Sequence, residues 1–203
     1  MDQEAMTNEE NYAFDIAGYL RIQGALSRPE VDRLNKAVDQ AGALDGMLGW
    51  DGDLKTPFRD LLIQPQLVWY LNQIVGPGFR LDREPEVLCD ERCDTAALLV
   101  GGNEPRDPRL AYYHQNGRRY CEGVRVIWVL EDVKVGDGGF VMVPCTHKSN
   151  VETPEDILTG ADDKDFVWQP ELKAGDLLIV GLSVVQGMRP WMSENRQRLL
   201  SYE

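Results

Sequence analysis

Two histidines are all the imidazole this 203-residue chain contains, so chemistry that depends on them can be located by inspection. His114 sits in Tyr113-His114-Gln115-Asn116-Gly117, and His147 follows Val143-Pro144-Cys145-Thr146. An iron that activates oxygen asks for three protein ligands on one face, commonly two imidazoles and one carboxylate, which leaves three positions for co-substrate and oxygen. Here such a set would need both His114 and His147, with a carboxylate such as Asp137 beside them. The four cysteines offer less. Cys89 and Cys93 lie four apart among acidic residues, but no CxxC and no histidine pair completes a zinc site, and with Cys121 and Cys145 they read as free thiols. Adjacent Arg118 and Arg119 could supply positive charge beside His114.

Charge limits the partners. Thirty-four acidic against twenty-one basic residues give a net charge of −13, which repels phosphate backbones and anionic membranes. Nucleic acid is therefore not an expected partner. No apolar run reaches the roughly 20 residues that cross a bilayer, and residues 1–10 are acidic and polar, unlike a signal or transit peptide. The expected compartment is cytoplasmic. The length fits one domain over 1–203, with residues 1–12 expected to form a disordered tail.

The elements that must position these residues fall into two halves. Gly18-Tyr19-Leu20 marks a short strand after a helix end. Ser27 then fits an N-cap with Glu30 three residues on, and Val31, Leu34 and Val38 recur at helical spacing, predicting a helix over 28–41. A second helix is expected over 60–74, where Leu61, Leu62, Val68, Leu71 and Ile74 share a face and Gly76-Pro77-Gly78 stops it. From Phe79 onward the chain turns to short apolar runs split by Gly, Pro and Asp, an antiparallel β pattern. Strands are expected over 86–89, 96–100, 124–130, 139–143, 165–169, 176–180 and 198–202. Those at 124–130 and 176–180 are apolar on both faces, as befits strands buried between layers. Gly136 to Phe140 reads as hairpin chemistry, because it lacks the Lys and following helix of a phosphate loop. The loop over 150–164 is long and acidic and could cover the mouth of a β barrel.

His114-Gln115-Asn116-Gly117, Gly138-Gly139-Phe140-Val141-Met142-Val143-Pro144-Cys145-Thr146-His147-Lys148-Ser149 and Val184-Val185-Gln186-Gly187 together resemble the phytanoyl-CoA dioxygenase-like branch of the Fe(II)- and 2-oxoglutarate-dependent oxygenases. The opening Gly-Tyr-Leu strand and Gly-Ala-Leu-Ser turn, and the Trp191 after Arg189-Pro190, extend the likeness over nearly the whole chain. The resemblance implies a mostly β double-stranded β-helix, a jelly roll of cupin type, with N-terminal helices packed outside. It also implies where an iron would sit: His114 is the retained ligand, Asn116 stands where the carboxylate belongs, and Gln186 stands where the distal histidine belongs. An amide in place of each removes one negative charge and one nitrogen donor, so iron would be absent or weakly held. The Asn-Gly is shared by a subset of the resembled family, which makes Gln186 the more telling replacement.

The 2-oxoglutarate side of the resemblance points to Arg198, twelve residues after Gln186, with Arg196 as runner-up, forking onto the far carboxylate of the co-substrate. Tyr112 and Trp128 would complete that pocket, and 2-oxoglutarate or another organic acid is its expected occupant. The resulting reading is a small-molecule enzyme on an oxygenase scaffold doing non-redox chemistry without iron. His114 would act as acid or base, and Asn116 and Gln186 as hydrogen-bond donors to a developing oxyanion. The alternatives are a working Fe(II)/2-oxoglutarate dioxygenase with a non-standard triad, and a non-catalytic metabolite-binding pseudo-oxygenase.

Overall fold

Alternation along the central strands sends successive apolar side chains into two different layers. The computed structural model of the chain describes residues 6–41, 52–88, 111–159 and 165–203. Its main sheet is antiparallel, in the order β1 (Tyr19–Ile22), β7 (Leu177–Gly181), β5 (Val124–Val129), β9 (Leu199–Tyr202), β2 (Glu86–Leu88). On one face Val126, Trp128, Ile179, Leu200 and Tyr202 pack against the N-terminal helices. On the other, Ile127, Val129, Leu178, Val180 and Leu199 meet Phe140 and Met142 from a second sheet, β6 (Gly139–Val143) paired with β8 (Val185–Arg189). The outer face of that second sheet, with Val141, Val143 and Val185, is covered by α5 (Glu155–Leu158). A separate hairpin joins β3 (Tyr112–Gln115) to β4 (Arg118–Cys121). The architecture is the expected double-stranded β-helix with helices outside.

The helical layer follows the sequence cues with two differences. The helix α2 (Arg28–Ala41) has the expected bounds, and Glu30 reaches back to the Ser27 N–H at 2.7 Å. The single helix expected over 60–74 is two, α3 (Gly52–Leu62) and α4 (Pro65–Ile74). Pro65 lacks an N–H and opens α4, whose first donors are met by the Gln64 side chain at Leu67 N. The expected tail over 1–12 is ordered from Met6 within the described residues: α1 (Asn8–Ala17) begins on a Thr7–Glu10 capping box, and Tyr70 donates to Glu10 at 2.6 Å. The strand expected over 165–169 shrinks to a bridge between Trp168 and Met142. The strand over 96–100, Cys89 and Cys93 lie outside the described residues, as does the end of the 150–164 loop. Among the described residues no helix is long and apolar enough to cross a membrane.

Two buried ionic groups tie the layers together. Asp176, 2% exposed, accepts from Arg21 Nε and Nη2 at 3.0 and 2.7 Å and from the Gly24 and Lys173 N–H groups, which fixes β1 to the turn before β7. Arg198, 1% exposed, donates to the Asn35 carbonyl and Oδ1 at 3.1 and 3.0 Å and to Asp39 Oδ1 at 2.8 Å. Asn35 in turn donates to the Leu130 carbonyl, so α2 is bonded to both β9 and the end of β5. Arg198→Ala is expected to cost about 2–4 kcal/mol of unfolding free energy, from lost charge-assisted bonds and a buried void. The neighbouring Arg196, half exposed beside the same Asp39, should cost under about 1 kcal/mol as Arg196→Ala. Urea denaturation of the two variants measures the difference.

Candidate functional site

The hairpin that carries His114 and Asn116 explains its own sequence. Asn116 and Gly117 are its two turn residues, both at positive φ (52° and 75°), and Asn-Gly is the pair that two-residue hairpin turns favour. Asn116 is therefore where the backbone needs a residue that tolerates the left-handed region, and its side chain is exposed, as is that of His114. Tyr112 lies outside the residues that line the large cavity described below. Its hydroxyl donates to Asp15 Oδ1 at 2.6 Å and its ring packs edge-on against His147.

His147 is wholly buried in that same corner. Its Nε2 lies 2.9 Å from the Asp15 carbonyl, which assigns the proton to Nε2 and leaves Nδ1 a buried acceptor with no partner. Gly18 makes room for the ring: a Cβ there would stand 2.6 Å from Nδ1. This geometry gives His147 a structural place, away from any set with Asp137, whose carboxylate accepts from the Lys134 N–H.

Arg198 and Trp128 both depart from their expected roles. Each lies on the helix-facing side of the main sheet, Trp128 in the helix-packed core and Arg198 bonded to α2, so neither side chain faces the space between the sheets. Arg196 pairs with Asp39 on the same side. The inward residue between the two arginines is Gln197, buried with neither amide atom bonded and pressed so closely on Gly139 that a Cβ there would fall 1.8 Å from its Nε2.

Gln186 is the expected residue that, among the described residues, lines a cavity of about 880 Å³ bounded by α4, the turn after it and the ends of β5 and β9. It is 2% exposed, and its Nε2 donates to the Gly181 and Val184 carbonyls at 3.2 Å each, closing the turn into β8. Sequence reasoning missed the cavity's cation. Arg125 occupies an inward position of β5, and its Nη2 lies 3.3 Å from Glu203 Oε1, while Arg83 Nε approaches Glu203 Oε2 at 3.3 Å. Leu67, Leu71 and Val75 form an apolar wall opposite. The signal was available: a lone Arg within the apolar run Val124-Arg125-Val126-Ile127 is a charge on a face otherwise buried.

No protein-family description matches the chain, and no curated protein matches it. Solved structures do. HygX from Streptomyces hygroscopicus with nickel and 2-oxoglutarate bound superposes with a TM-score of 0.84 at 22% identity, covering 98% of this chain and 86% of that one. The epimerase SnoN in complex with Fe3+, alpha ketoglutarate and nogalamycin RO gives 0.65 at 18% identity, with 96% and 81% covered. The carbocyclase SnoK from nogalamycin biosynthesis gives 0.66 at 17% identity, with 97% and 83% covered. The chain shares the fold of these proteins.

Whether an oxygenase-fold chain can hold iron depends on its donors. Among the described residues no group of three or more His, Cys, Asp or Glu side chains is gathered closely enough to hold a metal ion. Gln186 offers one neutral oxygen, His114 and Asn116 are exposed on the β3–β4 hairpin, and the arginine expected for 2-oxoglutarate is committed to α2. The described residues therefore do not fit iron with its co-substrate.

Burial holds the His147 imidazole below its ordinary pKa of 6.5, against the opposing pull of the Asp15 carbonyl bond. The unfolded chain takes up a proton near pH 6.5 that the native corner refuses, so stability is full above that pH and falls as pH drops toward the lowered native value. The slope contributed by this residue is up to about 1.4 kcal/mol per pH unit. Urea titrations at pH 7.5 and 5.5 should show the loss, and His147→Gln should flatten it.

Proposed function

We propose that the chain binds a carboxylate-bearing metabolite at the barrel mouth without iron, the pseudo-oxygenase reading of its scaffold. The observation that carries this is Arg125. Its side chain is only 15% exposed, it faces the cavity, and its Nε is buried with no partner. Arg125 shares the Glu203 carboxylate with the exposed Arg83, so its guanidinium is only partly engaged. The other charges around the opening, Arg80 with Asp82 and Glu122, are exposed and screened. A ligand carboxylate would accept from Arg125 with the geometry that a planar guanidinium favours. The acid–base role expected of His114 gains no support from its place on the exposed hairpin, outside the residues that line the cavity.

The test is calorimetric titration with succinate, glutarate and 2-oxoglutarate in the presence of a chelator. Binding is expected without metal, and Arg125→Ala should weaken it about 10- to 100-fold, the loss of a charge-assisted bond of about 1.5–3 kcal/mol. Equal binding by both proteins, or stoichiometric iron with metal-dependent consumption of 2-oxoglutarate after anaerobic reconstitution, would overturn the proposal.

A further inference from the structure

The cavity beside Arg125 is far larger than its charged corner. Its volume of about 880 Å³ lies in the range of about 300–1,000 Å³ that encloses ligands of drug size, and a four-carbon acid on Arg125 would fill only a fraction of it. Much of the remaining wall is apolar. Leu67, Leu71 and Val75 recur every four residues along α4 and its C-terminal cap, and Phe79, Leu81 and Leu182 continue the surface. Val75, Phe79, Leu81 and Leu182 are only half-buried, so this wall keeps apolar area that the fold leaves uncovered.

Backbone bonding brings the wall to the charge. Glu203, whose Oε1 lies 3.3 Å from Arg125 Nη2, accepts from the Asp82 N–H at its carbonyl oxygen, at 2.8 Å. Leu81 and Phe79 stand one and three residues before Asp82, so their Cα atoms lie within about 4 and 11 Å of its own. The apolar wall therefore begins within a few residues of the carboxylate that holds Arg125. The rim offers a second ligand charge little. Arg80 and Arg83 are exposed and face Asp82 at 3.7 Å and Glu203 at 3.3 Å. Such pairs are screened by water and salt, whereas a carboxylate pressed onto the apolar wall would lose its hydration without gaining a partner.

Resting on the carboxylate reading above, we infer that the ligand is a monocarboxylic acid with an extended apolar body: its head accepts from Arg125, and its body covers Val75, Phe79 and Leu81. Each methylene fully buried there strengthens binding about 3- to 4-fold until the wall is covered. A diacid of the same length must carry its second charge along that wall or out to the rim.

Calorimetric titration of the unmodified protein, with chelator present, compares butyrate, hexanoate and octanoate, and sets octanoate against its diacid, suberate, and its amide, octanamide. Octanoate should bind at least about 10-fold tighter than butyrate, suberate or octanamide. Leu81→Asn and Val75→Asn should each weaken octanoate about 3-fold or more and leave butyrate within about 2-fold, with thermal melting reporting that each variant is folded. The series on the unmodified protein decides the inference even where a variant fails to fold. Equal affinity along the series, or suberate bound as tightly as octanoate, overturns the inference and leaves the carboxylate site standing. A length dependence unchanged in both folded variants overturns the assigned wall. Octanamide bound as tightly as octanoate, or no acid bound at all, overturns the proposed function and the inference with it.

Discussion

The outward setting of Arg198, the residue before β9, fixes the phase of the last strand, and the two-layer core depends on that phase. Its guanidinium is buried against α2, where Asn35 and Asp39 receive it, and Asn35 passes the connection on to the end of β5. Strand residues alternate, so an outward Arg198 puts Leu200 and Tyr202 under the helices and Leu199 between the sheets. A slip of one residue would exchange those layers and bury a charge among aliphatic side chains. The outward setting is the one in which the guanidinium finds partners.

The same phase governs where a ligand can go. Between the sheets, Ile127, Val129, Phe140, Met142, Leu178 and Leu199 are fully or almost fully buried and fill the middle of the barrel. Polar inward positions remain at its ends, Gln197 against Gly139 at one and Gln186 with Arg125 at the other. The second end opens onto the large cavity, which residues of α4, the turn after it, β5 and β9 line. Helix packing and strand alternation thus place a cation and an amide at one opening without any metal ligand set among the described residues.

The fold was legible in the sequence and the site was only partly so, for different physical reasons. Strands such as β5 and β7 announce themselves because burial on both faces demands unbroken apolar runs, and α2 does so through its cap and its stripe. Pro65 was a readable break that the helical stripe across Leu61 to Ile74 concealed. The hairpin at Tyr112 to Cys121 is signalled by its Asn-Gly turn alone, since strands of four polar and aromatic residues carry too short a pattern to stand out. For Arg198, spacing gives distance along the chain but not which face a strand presents, and two residues of ambiguity cannot decide between inward and outward. Arg125 belongs to no motif, and its one signal is a charge set within an apolar run.

The Asn116–Gly117 turn also gives the molecule an age. Glycine following asparagine leaves the next backbone nitrogen free of steric hindrance to attack the side-chain amide, and this turn is exposed to the water that completes the reaction. Ammonia leaves through a cyclic imide, and hydrolysis returns aspartate or isoaspartate. Old molecules will therefore differ from new ones by one added negative charge beside His114, so a preparation's history is written into its charge heterogeneity. Chemistry alone, with no change of gene, would slowly write His-Gln-Asp where the ribosome wrote His-Gln-Asn.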